Sequence, residues 1–202
     1  MEVIFQQNRN RKKAMSIDKE KDITARLLDK STRRKAFEDM VNMFSSRLYW
    51  QIRRMLTYHD DTDDVLQNTF IKAWNGMESF RGDSKLSTWL YKIAYNETLT
   101  FISKQRETIS IDGTTDFDDE NSTSMLNTLE SDSYFDGDET MRLLQAAVAG
   151  LPAKQRSVFT MKYFDDMKYE EIAEVTGTSV GALKASYHLA VKKIEEFINN
   201  HE

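Results

Sequence analysis

The chain has 202 residues, 28 Lys and Arg against 33 Asp and Glu, three His, seven Gly, one Pro and no Cys, and is 40% apolar and 11% aromatic. That content is enough to bury a core, which excludes a wholly disordered chain. The absence of Cys and the scatter of His59, His188 and His201 exclude disulfides, thiolate chemistry and His-based zinc motifs, and the few Gly and Pro leave too few turns for a β-sandwich or barrel.

The net charge of −5 is unevenly placed. Residues 1–15 hold Arg9, Arg11, Lys12 and Lys13 against Glu2. Residues 16–107 hold a slight excess of cations, and residues 140–202 hold eight groups of each sign. Residues 108–139 hold ten Asp and Glu and no cation. The acidity therefore belongs to one segment and does not argue against a nucleic-acid partner. No apolar run reaches the length of a membrane span, and no apolar region follows the N-terminal basic residues. The expectation is a cytoplasmic chain with no stable membrane insertion.

In chain order, residues 1–15 read as a disordered basic tail, with Met15 an alternative start. Ser16 caps a helix to about Leu28. A second helix runs from about Thr32 to Leu56, with Phe37, Met40, Val41, Phe44, Leu48, Ile52 and Met55 at three- and four-residue spacing. A third starts after the acidic cap His59 to Asp64, whose carboxylates complement the helix macrodipole. Its apolar stripe is Leu66, Phe70, Ala73, Trp74 and Met77, and Leu66, Phe70 and Trp74 are assigned to the core. Gly76 and Gly82 bracket a loop, and Ser84 opens a fourth helix to about Gln105. Its inner face carries Leu86, Leu90, Ile93, Ala94 and Phe101, and its outer face Lys85, Thr88, Lys92, Tyr95 and Asn96.

Residues 108–139, rich in Asp, Ser, Thr and Asn and without apolar period, read as a flexible acidic linker. Beyond it, a helix covers about Thr140–Ala149, and Gly150-Leu151-Pro152 stops it and starts another to about Phe164. Asp165-Asp166 turns the chain. A short helix over Tyr169–Val175, a turn at Gly177 and a long helix from Ser179 form a helix-turn-helix layout, with Ile172, Val180, Leu183, Val191 and Ile194 as its common core. The fold class is all-α: two small helical domains, 16–107 and 140–202, joined by the linker 108–139.

Five stretches carry a resemblance. Residues 60–74 (DDTDDVLQNTFIKAW) and 79–94 (SFRGDSKLSTWLYKIA) are similar to the N-terminal domain of extracytoplasmic-function (ECF) sigma factors of bacterial RNA polymerase. Leu151–Arg156, Tyr169–Ala173 and Ser179–Lys184 resemble the C-terminal domain of the same family. The motifs occur in order, with an acidic linker between them, and cover about residues 20–107 and 139–198.

The resemblance implies a factor that binds core RNA polymerase, recognises the −10 and −35 promoter elements and promotes initiation, without catalysis or cofactor. The implied partners are the β′ clamp helices and β flap of the polymerase, promoter DNA and an anti-sigma factor. Asp64, Gln67, Asn68, Ile71 and Lys72 are then the polymerase-docking face, although on residue grounds alone they read first as a solvated helix face. Arg81, Gly82, Asp83, Ser84, Lys85, Trp89, Lys92 and Asn96 handle the melted −10 element. Trp89, Tyr91 and Tyr95 supply rings for unstacked bases; a core anchor is the other reading of Trp89. Ser179, Gly181, Lys184, Ser186, Tyr187 and His188 read the −35 element from the major groove; Tyr187, four residues after Leu183, has a core position as its second reading. The fourth helix ends with two cations, Lys104 and Arg106, where relatives carry a dense basic run, so weak DNA binding without polymerase is expected. The linker reads either as a solvated spacer or as a segment threading the polymerase cleft in place of nucleic acid. Two other classes compete: a helix-turn-helix regulator acting alone, and an enzyme using a magnesium site at Asp60, Asp61, Asp63 and Asp64. A helix cap accounts for the last cluster without a metal.

Overall fold

The computed structural model describes residues 16–56, 59–111 and 139–201. The basic tail over 1–15 and residues 112–138 of the expected linker lie outside the described residues. Within them the chain is α-helical, with no strand. The helices are α1 (16–28), α2 (Arg33–Arg53), α3 (His59–Gly76), α4 (Leu86–Ile111), α5 (Glu139–Ala149), α6 (Ala153–Tyr163), α7 (Tyr169–Thr176) and α8 (Val180–Asn199).

α2 is the spine of the N-terminal half. Ala36, Met40, Phe44, Leu48 and Ile52 recur every four residues and are all 0–1% exposed, a stripe along one side. α3 and α4 pack on it. α1 is tied alongside by Ile23 and Leu27, both buried, and by Arg26, whose Nη1 donates to Asp39 Oδ2 at 2.8 Å.

α3 begins at His59, so the acidic run lies within its first turns rather than before it. Its buried stripe is also rotated from the expected one. Thr62, Val65, Thr69, Ala73 and Met77 face the core, Leu66 and Phe70 are half-buried, and Trp74 is 46% exposed. Small residues win the central line because α3 lies against both α2 and α4, where bulk would hold the helices apart. Thr69 meets burial by donating its hydroxyl to Val65 O at 2.8 Å. Trp74 instead lies edge-on to Phe37, with centroids 4.9 Å apart.

α4 runs to Ile111, four residues into the segment read as linker. Leu86, Leu90 and Ala94 bury against the N-terminal half as expected. The outer-face assignment of Thr88 and Tyr95 is corrected: both are buried, as are Tyr91 and Thr98. The cause is tertiary. α7 packs against α4, and one continuous apolar cluster runs from α2, α3 and α4 through Val158, Met161, Met167, Ile172, Val175 and Leu183.

In the C-terminal half, Gly150 N–H bonds Ala146 O at 3.1 Å to close α5, and Pro152 stands as N-cap of α6. The chain turns at Asp166, whose φ is +51°. Gly177 ends α7 at φ +69°, a left-handed cap that costs glycine nothing. Ser179 caps α8 by accepting from Ala182 N–H at 3.4 Å. A second cluster of Ala147, Val148, Leu151, Phe159, Ala190 and Ile194 joins α5, α6 and α8. Ile172, Leu183 and Ile194 are buried as expected of the helix-turn-helix core, with Val180 and Val191 half-buried.

Candidate nucleic-acid interface

Three exposed surfaces are built by these elements. The first lies on α3. Asp64, Gln67, Asn68, Ile71 and Lys72 all point outward, and Ile71 is 50% exposed beside the exposed Trp74. The result is a polar surface with an apolar centre. Lys72 is held by Glu97 of α4 at 2.5 Å, which orients one end of the patch.

The second surface is the loop between α3 and α4 and the start of α4. Phe80 is buried and packs on Trp89, with ring centroids 4.7 Å apart. That anchors the loop and leaves Trp89 half-buried. Arg81, Gly82 and Asp83 are exposed, and Ser84 is half-exposed. Gly82 has φ +77°, and a Cβ there would meet only ordinary contacts, Leu28 Cδ1 at 3.6 Å and Thr24 Cγ2 at 3.8 Å; backbone conformation is what selects glycine. The N-terminus of α4 is met from a distance. Glu20 Oε1 accepts both the N–H and the hydroxyl of Ser87, each at 2.8 Å. Lys85, Lys92 and Asn96 line the exposed side of α4. Tyr91 and Tyr95, the expected base-stacking rings, are buried under α6 and α7.

Lys85 is not free. Its Nζ meets Glu171 Oε1 of α7 at 2.5 Å, which holds the ammonium above its usual range. Glu171 also accepts from Lys168 N–H at 2.9 Å, capping α7. Burial raises its carboxyl, but the bonds from Lys85 and from Lys168 N–H outweigh that and hold it below the usual range.

The third surface is the N-terminal half of α8. Ser179, Gly181, Lys184 and His188 are exposed, and Ser186 is half-exposed. Gly181 faces open space, with nothing within 4 Å of a Cβ built there. Lys184 Nζ lies 5.8 Å from the Tyr169 ring centroid. Tyr187 belongs to the packing: its ring stacks on Phe159 at 5.7 Å and meets Tyr169 edge-on at 6.3 Å. Burial raises its phenol. Helical spacing also brings Ala185 and Leu189 to the exposed side, Leu189 at 49% exposure. Neither was a sequence candidate, although a count of 3.6 residues per turn from Gly181 reaches Ala185 directly.

Arg156, the last residue of the Leu151–Arg156 motif, is structural. Its Nη2 donates to Leu151 O at 3.0 Å and to Ala149 O, closing the α5–α6 turn, while Nη1 reaches Met55 O at the end of α2 at 3.2 Å. Among the described residues no group of three or more His, Asp or Glu is placed to hold a metal ion, and no helix is long and apolar enough to cross a membrane.

Comparison with known proteins matches this architecture. The sigma-70 region 2 family covers residues 40–108 and the sigma-70 region 4 family residues 141–194. The chain is 30% identical over 158 residues to the ECF RNA polymerase sigma factor SigW of Bacillus subtilis, spanning 76% of this chain and 83% of that relative. It is 28% identical to the ECF RNA polymerase sigma-E factor of Haemophilus influenzae, over 82% of this chain and 88% of that one. Among solved structures, RpoE of Bartonella quintana with the anti-sigma factor NepR aligns at TM-score 0.67 and 23% identity, over 82% of this chain and 98% of that one. CnrH with the cytosolic domain of CnrY aligns at TM-score 0.66 and 19% identity, over 91% and 99%. A two-part helical protein ending in a helix-turn-helix, with sigma-70 regions 2 and 4 in order, is a transcription initiation factor. The chain belongs to the ECF sigma factors of RNA polymerase, and the reading as a lone helix-turn-helix regulator is not favoured.

Proposed function

We propose a division of labour among the three surfaces. The α3 face of Asp64, Gln67, Asn68, Ile71 and Lys72 docks on the β′ clamp helices of core polymerase. The loop Arg81–Lys85 with Trp89, Lys92 and Asn96 receives the melted −10 element. The start of α8 reads the −35 element with Ser179, Gly181, Lys184 and His188, while Ser186 lies at the edge of that face and Tyr187 supports it from behind. The carrying observation is the orientation of α8: Leu183, Ala190 and Ile194 anchor one side, and Gly181, Lys184 and His188 stand on the other, open side. A recognition helix needs that arrangement to enter a major groove.

The domain boundaries read from sequence (16–107 and 140–202) and the acidic segment in the polymerase cleft belong to the same proposal. So does an anti-sigma partner, since both structural neighbours named above are complexes with such proteins or their cytosolic partner domain. The chain acts in the cytoplasm and catalyses nothing itself; the polymerase supplies the chemistry. Run-off transcription with purified core polymerase tests the proposal. The expected outcome is initiation at defined start sites only when this chain is present. Tight footprinting of promoter DNA by the chain alone at physiological salt contradicts it.

A further inference from the structure

The contact between the two halves holds buried polar groups that lack partners. Asp165, at the corner between α6 and α7, has its Oδ2 buried with no hydrogen-bond partner among the described residues. Thr160 Oγ1 of α6 and both side-chain polar atoms of Gln51 in α2 are in the same condition. The groups facing Asp165 come from three elements. α2 offers Arg54 and Arg47, α4 offers the Tyr91 hydroxyl as hydrogen-bonding neighbour, and on its own side stand Asp166 and Lys162, the latter committed to Met167 O at 3.1 Å. Arg54 lies flat on Phe164, 4.0 Å from the ring centroid, and burial lowers its own affinity for a proton. Gln51 is four residues after Arg47 and three before Arg54, so helical spacing sets it on the same face of α2.

An interface that leaves such groups unpaired loses their hydration on closing and regains it on opening. It is also the interface that covers Tyr91 and Tyr95 and binds Lys85 to Glu171, so closure occupies the side of α4 beside the DNA-handling residues. We propose that the contact of α4 with α6 and α7 is a self-closing clasp, and that ionisation of the buried Asp165 carboxyl loosens it, freeing α4 and the helix-turn-helix to separate. The consequence for polymerase and promoter rests on the surfaces proposed above; the clasp itself does not.

Burial pushes the Asp165 carboxyl from 3.8 up to about 6, against the pull of Arg54, Tyr91 and Arg47. Because the closed-state value is raised, closure is favoured while the carboxyl is neutral. That advantage is lost as pH rises through the closed-state value. Between pH 5 and pH 7 the closed-to-open ratio should fall about tenfold, and it should be flat above that.

The absence of Cys allows clean labelling of the full chain. A dye pair on Ser46→Cys in α2 and Lys193→Cys in α8, both exposed positions, reports the separation of the halves. The expected result is more of the short-distance population at pH 5 than at pH 7, with unchanged helical circular dichroism. Asp165→Asn should abolish the pH dependence and keep the chain closed at pH 7. Glu171→Gln should reduce closure at both pH values while keeping the slope. A distance indifferent to pH, or an Asp165→Asn chain that is folded yet more open, overturns the clasp. Assembly with core polymerase at pH 7 should be several-fold slower for Asp165→Asn. Equal rates alongside the expected distance change uphold the clasp and overturn its functional consequence.

Discussion

Lys184 stands exposed on the open side of α8, one turn from its capped N-terminus. Its replacement by Ala should weaken promoter binding by the holoenzyme by about 1–3 kcal/mol and relax preference at one base pair, as for a lost base contact. Titration against promoter variants checks this, with affinity for core polymerase unchanged. A uniform loss across sequences, with a salt slope smaller by about one, reassigns Lys184 to a phosphate. Asp64→Ala with Gln67→Ala should do the reverse, lowering capture by core polymerase in a pull-down while leaving the fold intact, because both are exposed on α3. At this scale the polar candidates were legible, since charged and amide side chains seek solvent whatever the packing. The aromatic ones were less so: Trp74 came out half in solvent, and Tyr91 and Tyr95 went under neighbours that no local pattern names, whereas the packing of Tyr187 on Phe159 agrees with the core reading its spacing from Leu183 offered.

Helix boundaries follow local chemistry closely. Gly177 illustrates it: φ +69°, open space around any added Cβ, and a cap bond from its N–H to Ala173 O at 2.9 Å. Gly177→Ala should therefore cost about 1 kcal/mol through backbone strain alone, visible as a lower melting temperature without loss of helix at 25 °C. Faces are harder to read than boundaries. On α3, apolar spacing points to Leu66, Phe70 and Trp74, while the buried line is Thr62, Val65, Thr69, Ala73 and Met77. A threonine that returns its hydroxyl to its own helix passes as a small apolar residue, and hydropathy alone does not register that. The cap of α4 shows the same limit, because Glu20 arrives from α1, 67 positions earlier.

Across the whole molecule, Lys85 and Glu171 join residues 86 positions apart. Their side chains are 58% and 20% exposed, so solvent screens the pair. A double-mutant cycle on unfolding, with Lys85→Ala and Glu171→Gln, should give a coupling of about 0.2–1 kcal/mol that shrinks with added salt. Glu171 has a depressed carboxyl, so its contribution is present near neutral pH and lost as pH falls through the carboxylate range. That runs opposite to Asp165, whose raised carboxyl favours closure on the acid side. The two groups are thus separable by the sign of their pH response.

Periodicity, caps and turn residues by themselves determined the all-α class, the positions of the helices and the helix-turn-helix, because each depends on residues a few positions apart; the family came from the resemblance of whole motifs. How the halves meet was decided only in three dimensions. α4 carries two buried faces, one for α2 and α3 and one for α6 and α7. A helix with two partners shows no single stripe from which either can be read. Arg156 on Met55 O, Lys85 on Glu171 and the buried Asp165 all belong to the contact between the halves, where desolvation and long-range pairing set the energies.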